Sequence, residues 1–278
     1  LILKIEEVIR SREVEGILVT HGTDTMSYTA SAVSIAFGRS LPIPVIFTGS
    51  QLPLVSFGTD ARFNLENSIK VVIEAANKEI AEVMIVFGDK ILRGNRSIKV
   101  SEAKFLAFDT PAIEPLGWID ALGIHFNPNI SLRTSGVGLT VKPDFSSDIL
   151  SVDVSPGLQP SLLKNLILSG LCKGILFKSL GAGNVPSEGD FSLMPVIELA
   201  IKNNIPVLIT TKFVGGHTHM DIYEPGSLAL RKGAISCGDM TDVMSQVKFM
   251  WILGQGYSSI GDIEKAVIKN FAGEISSA

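Results

Sequence analysis

The chain has 278 residues, 46% of them hydrophobic and 19% charged, with 26 glycines and 13 prolines spread along it. That balance excludes collagen-like and intrinsically disordered chains, and the length suits about two domains. A net charge of -4 gives no global attraction to phosphate backbones, and two cysteines with four histidines exclude a disulfide scaffold and a cysteine-rich zinc site. A reducing compartment fits this cysteine usage. Leu1 to Glu15 lacks an apolar signal core, and every apolar stretch is broken well before the ~20 residues a bilayer crossing needs. A soluble, cytoplasmic protein is expected, with no membrane and no nucleic-acid partner.

Leu3 to Ser11 predicts a helix, with Leu3, Ile5, Val8 and Ile9 near helical spacing, and Gly16 to Thr20 predicts a short buried strand. The polar turn His21-Gly22-Thr23-Asp24 follows. Thr25 to Phe37 then suits a helix packed on a sheet, Pro42 to Thr48 a second strand, Asn64 to Ala76 a helix and Val83 to Phe87 a strand ended by Gly88. This alternation predicts a parallel sheet with right-handed crossovers. From Phe108 to about Asp144 the pattern fades into Pro, Gly and Asn, with room for one or two short strands. Strands are expected again at Ile149 to Val154, Gly174 to Lys178 and Val207 to Thr211, and helices at Ser161 to Ser169, Leu193 to Ile201, Met240 to Gly254 and Ile260 to Asn270. The partition is a domain over 1–125, a linker over 126–147 and a domain over 148–278. Both domains are α/β, three-layered and built on parallel sheets. The first is flavodoxin-like or Rossmann-like, and the second is smaller and Rossmann-like.

Ligands of open parallel sheets collect at the carboxyl ends of strands, which places the chemistry at Thr20 to Thr25. Thr23, Asp24 and Thr25 supply a hydroxyl, a carboxylate and a second hydroxyl in a row, more than one helix start requires. Each alone could equally be a helix cap. His21 is a candidate general base by residue type, yet at a strand end a histidine can also simply satisfy nearby backbone. His217 and His219, at i,i+2 spacing with Asp221 nearby, allow a metal site or an ordinary loop beside Gly215 and Gly216. Gly181 to Asn184 lacks the lysine and the spacing of a phosphate-binding loop. His125 has no partner nearby in the sequence.

Several segments carry a resemblance: Gly16-Ile-Leu-Val-Thr-His-Gly-Thr-Asp-Thr-Met26, Phe47-Thr-Gly-Ser-Gln-Leu-Pro53, Arg93-Gly-Asn-Arg-Ser-Ile-Lys99, Lys178-Ser-Leu-Gly-Ala-Gly-Asn184 and Gly238-Asp-Met240. In this order they resemble the L-asparaginase family of amidohydrolases, particularly its cytoplasmic type I branch, over essentially the whole chain. The resemblance implies hydrolysis of the side-chain amide of L-asparagine, or of L-glutamine, through a threonine acyl-enzyme, without a cofactor or metal. It assigns Thr23, Asp24 and Lys99 as catalytic and Thr23, Asp24 and Ser50 as substrate-binding, in a homodimer or homotetramer. Lys99, although 75 residues from Asp24, would reach it if both follow parallel strands. Family members also carry an earlier strand ending in a Thr-Gly-Gly-Thr loop with another catalytic threonine, then a Ser-Asp or Ser-Gln pair for the substrate carboxylate. Neither precedes Gly16, so the first domain is expected to be incomplete at its N-terminus and Leu1 to be a cut edge. Two other readings are the asparaginase-like subunit of a Glu-tRNA amidotransferase, which works on glutamine, and a non-catalytic amino-acid-binding homologue.

Overall fold

The computed structural model describes residues 1–128 and 130–276. Asn129, in the segment expected to link two domains, and Ser277 and Ala278, at the end of the second, lie outside the described residues. The chain divides into two compact units, Leu1–Pro143 and Asp144–Ala278, each with its own main sheet.

Unit 1 begins with α1 (Ile2–Ser11), β1 (Ile17–Thr20), α2 (Met26–Phe37), β2 (Val45–Thr48), α3 (Ala61–Asn77) and β3 (Val83–Phe87). The three strands are parallel, with Ile17 opposite Val45 and Val45 opposite Val83. β2 and β3 are buried throughout, whereas β1, at the sheet edge, is half-buried to exposed. A parallel strand covered on both faces reads as an unbroken apolar run, which is how Val83 to Phe87 shows in the sequence. Successive side chains alternate between the layers. Val45, Phe47, Val83, Ile85 and Phe87 join Ile5 and Ile9 of α1 and Met26 and Val33 of α2, while Ile46, Met84 and Val86 join Val71 and Ala75 of α3. Withdrawing the fully buried Phe47 from water contributes about 1.5–3 kcal/mol.

The rest of unit 1 corrects the expectation of an all-parallel sheet. Only Gly88 and Asp89 separate β3 from β4 (Lys90–Arg93), which pairs antiparallel with it, Phe87 opposite Lys90 and Met84 opposite Arg93. A two-residue turn joins only antiparallel neighbours, since a parallel return needs a crossover of about a dozen residues. Gly88, at φ 63°, supplies the left-handed backbone that such a turn requires. After β5 (Ile98–Lys99) and β6 (Phe108–Asp109), which pair as a separate ribbon, β7 (Gly117–Asp120) and β8 (Gly123–Phe126) complete a mixed sheet of order β1-β2-β3-β4-β7-β8. Within the segment 126–147, Arg133 and Lys142 donate backbone N–H to the carbonyls of Glu79 and Ala36 at 2.7 and 2.9 Å, so this part is built onto unit 1.

Unit 2 runs β9 (Ile149–Asp153), α4 (Pro160–Leu168), β10 (Gly174–Ser179), α5 (Met194–Lys202), β11 (Val207–Thr211), α6 (Glu224–Arg231), β12 (Ile235–Ser236), α7 (Asp242–Gly254) and α8 (Ile260–Ile268). Its sheet is parallel, in the order β12-β11-β10-β9. Leu163 and Ile167 of α4 and Val196, Ile197 and Ala200 of α5 pack on Ile175, Phe177, Val207 and Ile209. The sequence reading does not include α6, whose Pro225 falls in the first turn, where its missing N–H costs nothing. On α7, Lys248 lies 2.7 Å from Glu274, with side-chain exposures of 1% and 0%. Its ammonium also donates to the carbonyls of Val267 and Lys269, and Glu274 accepts the N–H groups of Phe271 and Ala272.

Candidate active site

β1 delivers the chain to the carboxyl end of the parallel strands, where Thr23–Thr25 form one turn of 3-10 helix ahead of α2. Gly22 and Thr25 hold the N-cap positions of that turn and of α2, and neither makes a side-chain cap hydrogen bond. The Thr23 and Asp24 side chains meet Lys99 instead. The Lys99 ammonium donates to Thr23 Oγ1 at 2.8 Å and to Asp24 Oδ1 at 2.6 Å.

Lys99 arrives by a route different from the one expected. It does not follow a parallel strand but sits in the β5 ribbon, after β4 has carried the chain back beside Met84. The segment from Gly94 then packs along α2, with Asn95 Nδ2 donating to Ser34 Oγ at 2.8 Å, and returns to the start of that helix. Gly94–Arg96 make one turn of 3-10 helix against α2, and the extended Ser97 leads into β5.

The Lys99 side chain is 17% exposed and that of Asp24 90%. The cation is thus sheltered while the carboxylate stays open to a ligand. An ammonium pointed at a hydroxyl oxygen favours negative charge developing there, since hydrogen bonds to the charged form stabilise it.

Ser50 lies at the exit of β2, but its hydroxyl donates to Leu52 O at 2.7 Å and closes its own turn. Gly49 has to be glycine here: a Cβ would stand 2.4 Å from the His21 carbonyl oxygen. The residue that sequence reasoning missed is Gln51. Its Oε1 is the acceptor 3.5 Å from Thr23 Oγ1, while its Nε2 donates to the carbonyls of Ser101 and Lys104 at 3.3 and 3.2 Å. Its only sequence signal was its place beside Ser50.

The histidines fall elsewhere. His21 Nδ1 is 2.7 Å from the adjacent Gly22 carbonyl oxygen, and its ring sits edge-on to Phe47. The rings of His217 and His219 stack on each other, 5.6 Å between centroids. Among the described residues no group of three or more His, Cys, Asp or Glu is placed to hold a metal ion. Gly181 to Gly183 make a tight turn closed by paired backbone hydrogen bonds between Leu180 and Asn184. His125 does have a partner, across the β7–β8 hairpin: its Nε2 is 3.1 Å from Asp120 Oδ1, and this hydrogen bond, with the Leu122 N–H, holds the Asp120 carboxyl below its ordinary range.

A threonine, a lysine and an aspartate converging at the carboxyl ends of parallel strands, in a chain of two α/β units, define an α/β protein of the enzyme kind. Residues 1–132 match the family model described as asparaginase, N-terminal, and residues 148–266 match the glutaminase/asparaginase C-terminal domain. The chain belongs to the asparaginase family. It is 34% identical over 265 residues to the L-asparaginase of Thermococcus kodakarensis, covering 95% of this chain and 76% of that one. It is also 34% identical over 275 residues to a Glutamyl-tRNA(Gln) amidotransferase subunit from Aeropyrum pernix, covering 94% of this chain and 61% of that one. The solved structure of the thermostable Thermococcus kodakarensis L-asparaginase superimposes with a TM-score of 0.89 at 30% identity, over 100% of this chain and 81% of that one.

Proposed function

We propose that this protein hydrolyses the side-chain amide of L-asparagine to L-aspartate and ammonia through a threonine acyl-enzyme. The observation that carries this reading is the Lys99 ammonium donating at once to Thr23 and Asp24 at the mouth of the sheet. A relative that is named L-asparaginase and is 34% identical over nearly the whole chain supports it.

A threonine oxygen adds to the amide carbon, its proton passes to the amide nitrogen, and ammonia departs. Water then adds to the resulting ester carbon, the threonine oxygen leaves with a proton, and the carboxylate is released. Atoms balance with water as the sole co-reactant, so the reaction calls for no cofactor. Thr23 is the threonine whose oxygen faces an ammonium. Lys99 as an ammonium has donors only, so it lowers the cost of negative charge on Thr23 and moves a proton only by giving one up first. Asp24 holds Lys99 with one oxygen and, being open, can take the α-ammonium of the substrate. Ser50, at the exit of β2, is assigned to the substrate side. Discrimination against L-glutamine turns on one methylene, typically ~1–3 kcal/mol.

We extend the proposal to a homodimer or homotetramer. Leu54, Val55, Phe57, Phe105 and Leu106 are exposed on two loops that Gln51 ties together beside Thr23, and clustered exposed apolar side chains mark association surfaces. A cytoplasmic location fits the two free cysteines, Cys172 and Cys237. Among the described residues no helix is long and apolar enough to cross a membrane.

Ammonia release from asparagine and from glutamine, measured on the full-length protein and on Thr23→Val, tests the reading. Turnover of asparagine that is abolished in the variant is expected. Equal rates would remove Thr23 from the chemistry, and turnover of glutamine alone would favour the amidotransferase-like reading.

A further inference from the structure

We propose that Asp60 is a positioning residue for this site: it locks the loop after β2 so that Gln51 braces Thr23 against the loop that follows Lys99. The inference rests on the hydrolytic reading for its kinetic consequence and on geometry for the rest.

Asp60 occupies the N-cap position of α3, where an aspartate ordinarily accepts from the first helical amides, yet it makes no such cap. Thr59 Oγ1 accepts the Ala61 N–H in its place. The Asp60 carboxylate is turned back onto the loop. It accepts the Gln51 N–H at 2.9 Å and the Leu52 N–H at 3.0 Å, and the Asn64 side-chain amide at 3.1 Å. Asp60 is only 9% exposed and, among the described residues, makes no ion pair. A buried carboxylate held solely by neutral donors is costly, and removing it leaves buried N–H groups unpaired.

Asn64, 1% exposed, extends the lock. Its Nδ2 also donates to the Gly49 carbonyl at 2.9 Å, and its Oδ1 accepts the Gly88 N–H at 2.9 Å, tying the exits of β2 and β3 to one helix end. Gly49 in turn is pressed against the His21 carbonyl. The backbone of Gln51 is thereby fixed on one side while its side chain reaches Thr23 and the carbonyls of Ser101 and Lys104 on the other. The hydrogen-bonded path from Asp60 to Thr23 runs through the Gln51 side chain. Asp60 is thus not a catalytic residue, since it touches neither Thr23 nor Lys99.

The test uses the full-length protein and three variants: Asp60→Asn, which keeps the shape but turns a donor towards one of the amides; Gln51→Met, which keeps the bulk without polar atoms; and the double variant. Asp60→Asn is expected to lower kcat about 10- to 100-fold, the cost of a displacement of about 1 Å in a reacting group, with KM within about threefold of wild type. Because Asp60 acts through Gln51, adding Asp60→Asn to Gln51→Met should cost little more than Gln51→Met alone. The second readout does not depend on turnover. Competitive acetylation of Lys99 against the exposed Lys265 should rise about threefold in Asp60→Asn as the brace loosens. An unchanged kcat, fully additive losses in the double variant, or unchanged Lys99 acetylation would each overturn the role of Asp60. If the wild type releases no ammonia, the hydrolytic reading fails by itself, and the acetylation ratio still decides the brace.

Discussion

Two lysine–carboxylate pairs of nearly equal length divide the molecule between chemistry and architecture. Lys99 and Asp24 meet at 2.6 Å in unit 1, and Lys248 and Glu274 at 2.7 Å in unit 2. The second pair is wholly buried, and both partners also bond to backbone groups around residues 267 to 272. The first pair has a hydroxyl in its coordination and a carboxylate that faces water. A short ion pair is therefore not by itself a functional mark. What distinguishes a reactive pair is an unfilled direction, together with a third group whose protonation the charge can bias.

The contrast is sharpest in paired substitutions. Lys99→Met should cut kcat for asparagine by about 10²- to 10⁴-fold, the range of a lost proton-transfer or charge-stabilising group, while thermal unfolding stays near that of wild type. Lys248→Met should do the reverse. With Glu274 left as an uncompensated buried charge, stability should fall by about 3–5 kcal/mol, while the activity per folded molecule is kept. If both variants lost activity and stability in the same proportion, the division between the two pairs would collapse.

Gly49→Ala probes the scaffold between these extremes. With a Cβ 2.4 Å from the His21 oxygen and 2.9 Å from Met26 Cε, the exit of β2 must move, at a cost of about 1–3 kcal/mol. Because Ser50 and Gln51 ride on that exit, kcat should fall more than the melting temperature alone would suggest, and assays well below the transition separate the two effects.

The smallest effect concerns Cys237, a buried neighbour of the architectural pair. Burial pushes its thiol from an ordinary 9.0 up to about 12, against smaller opposing contributions from a Ser245 hydrogen bond and the Lys248 charge. A folded-state pKa above the unfolded one contributes stability that is fully present below pH 9 and is lost as pH rises from 9 through 12. Denaturant midpoints at pH 8 and pH 10.5 should therefore differ more for wild type than for Cys237→Ala, and thiol reagents should reach Cys237 only on unfolding.

The sequence shows most clearly the places where one local rule suffices. Val83–Phe87 and Val207–Thr211 are strands at the residues the apolar runs predict, because both are covered on both faces. Thr23 and Asp24 stand out from their density at a strand end. Lys99 does not, since its role depends on a resemblance and on a chain path that doubles back twice. β4 and β5 escape, and β6 to β8 register only as room for one or two short strands, because all are two to four residues long and no crossover helix separates them. Asp60 and Gln51 escape for another reason: the hydrogen bonds that define them span nine and about fifty residues, and no periodicity records such pairs. His125 and Asp120 lie only five residues apart, yet their contact waits on the hairpin that folds one over the other.

The stretch from Gly94 to Lys99 works as a ruler laid along α2. Gly94–Arg96 make one 3-10 turn and Ser97–Lys99 are extended, with side chains alternating between faces, so one residue more or fewer in that stretch would leave a lysine in place but aim it away from Thr23. The ammonium is thus specified by an address counted from Gly94 as much as by its identity. A relative that kept the lysine but changed that count would keep the charge of the site and lose its aim.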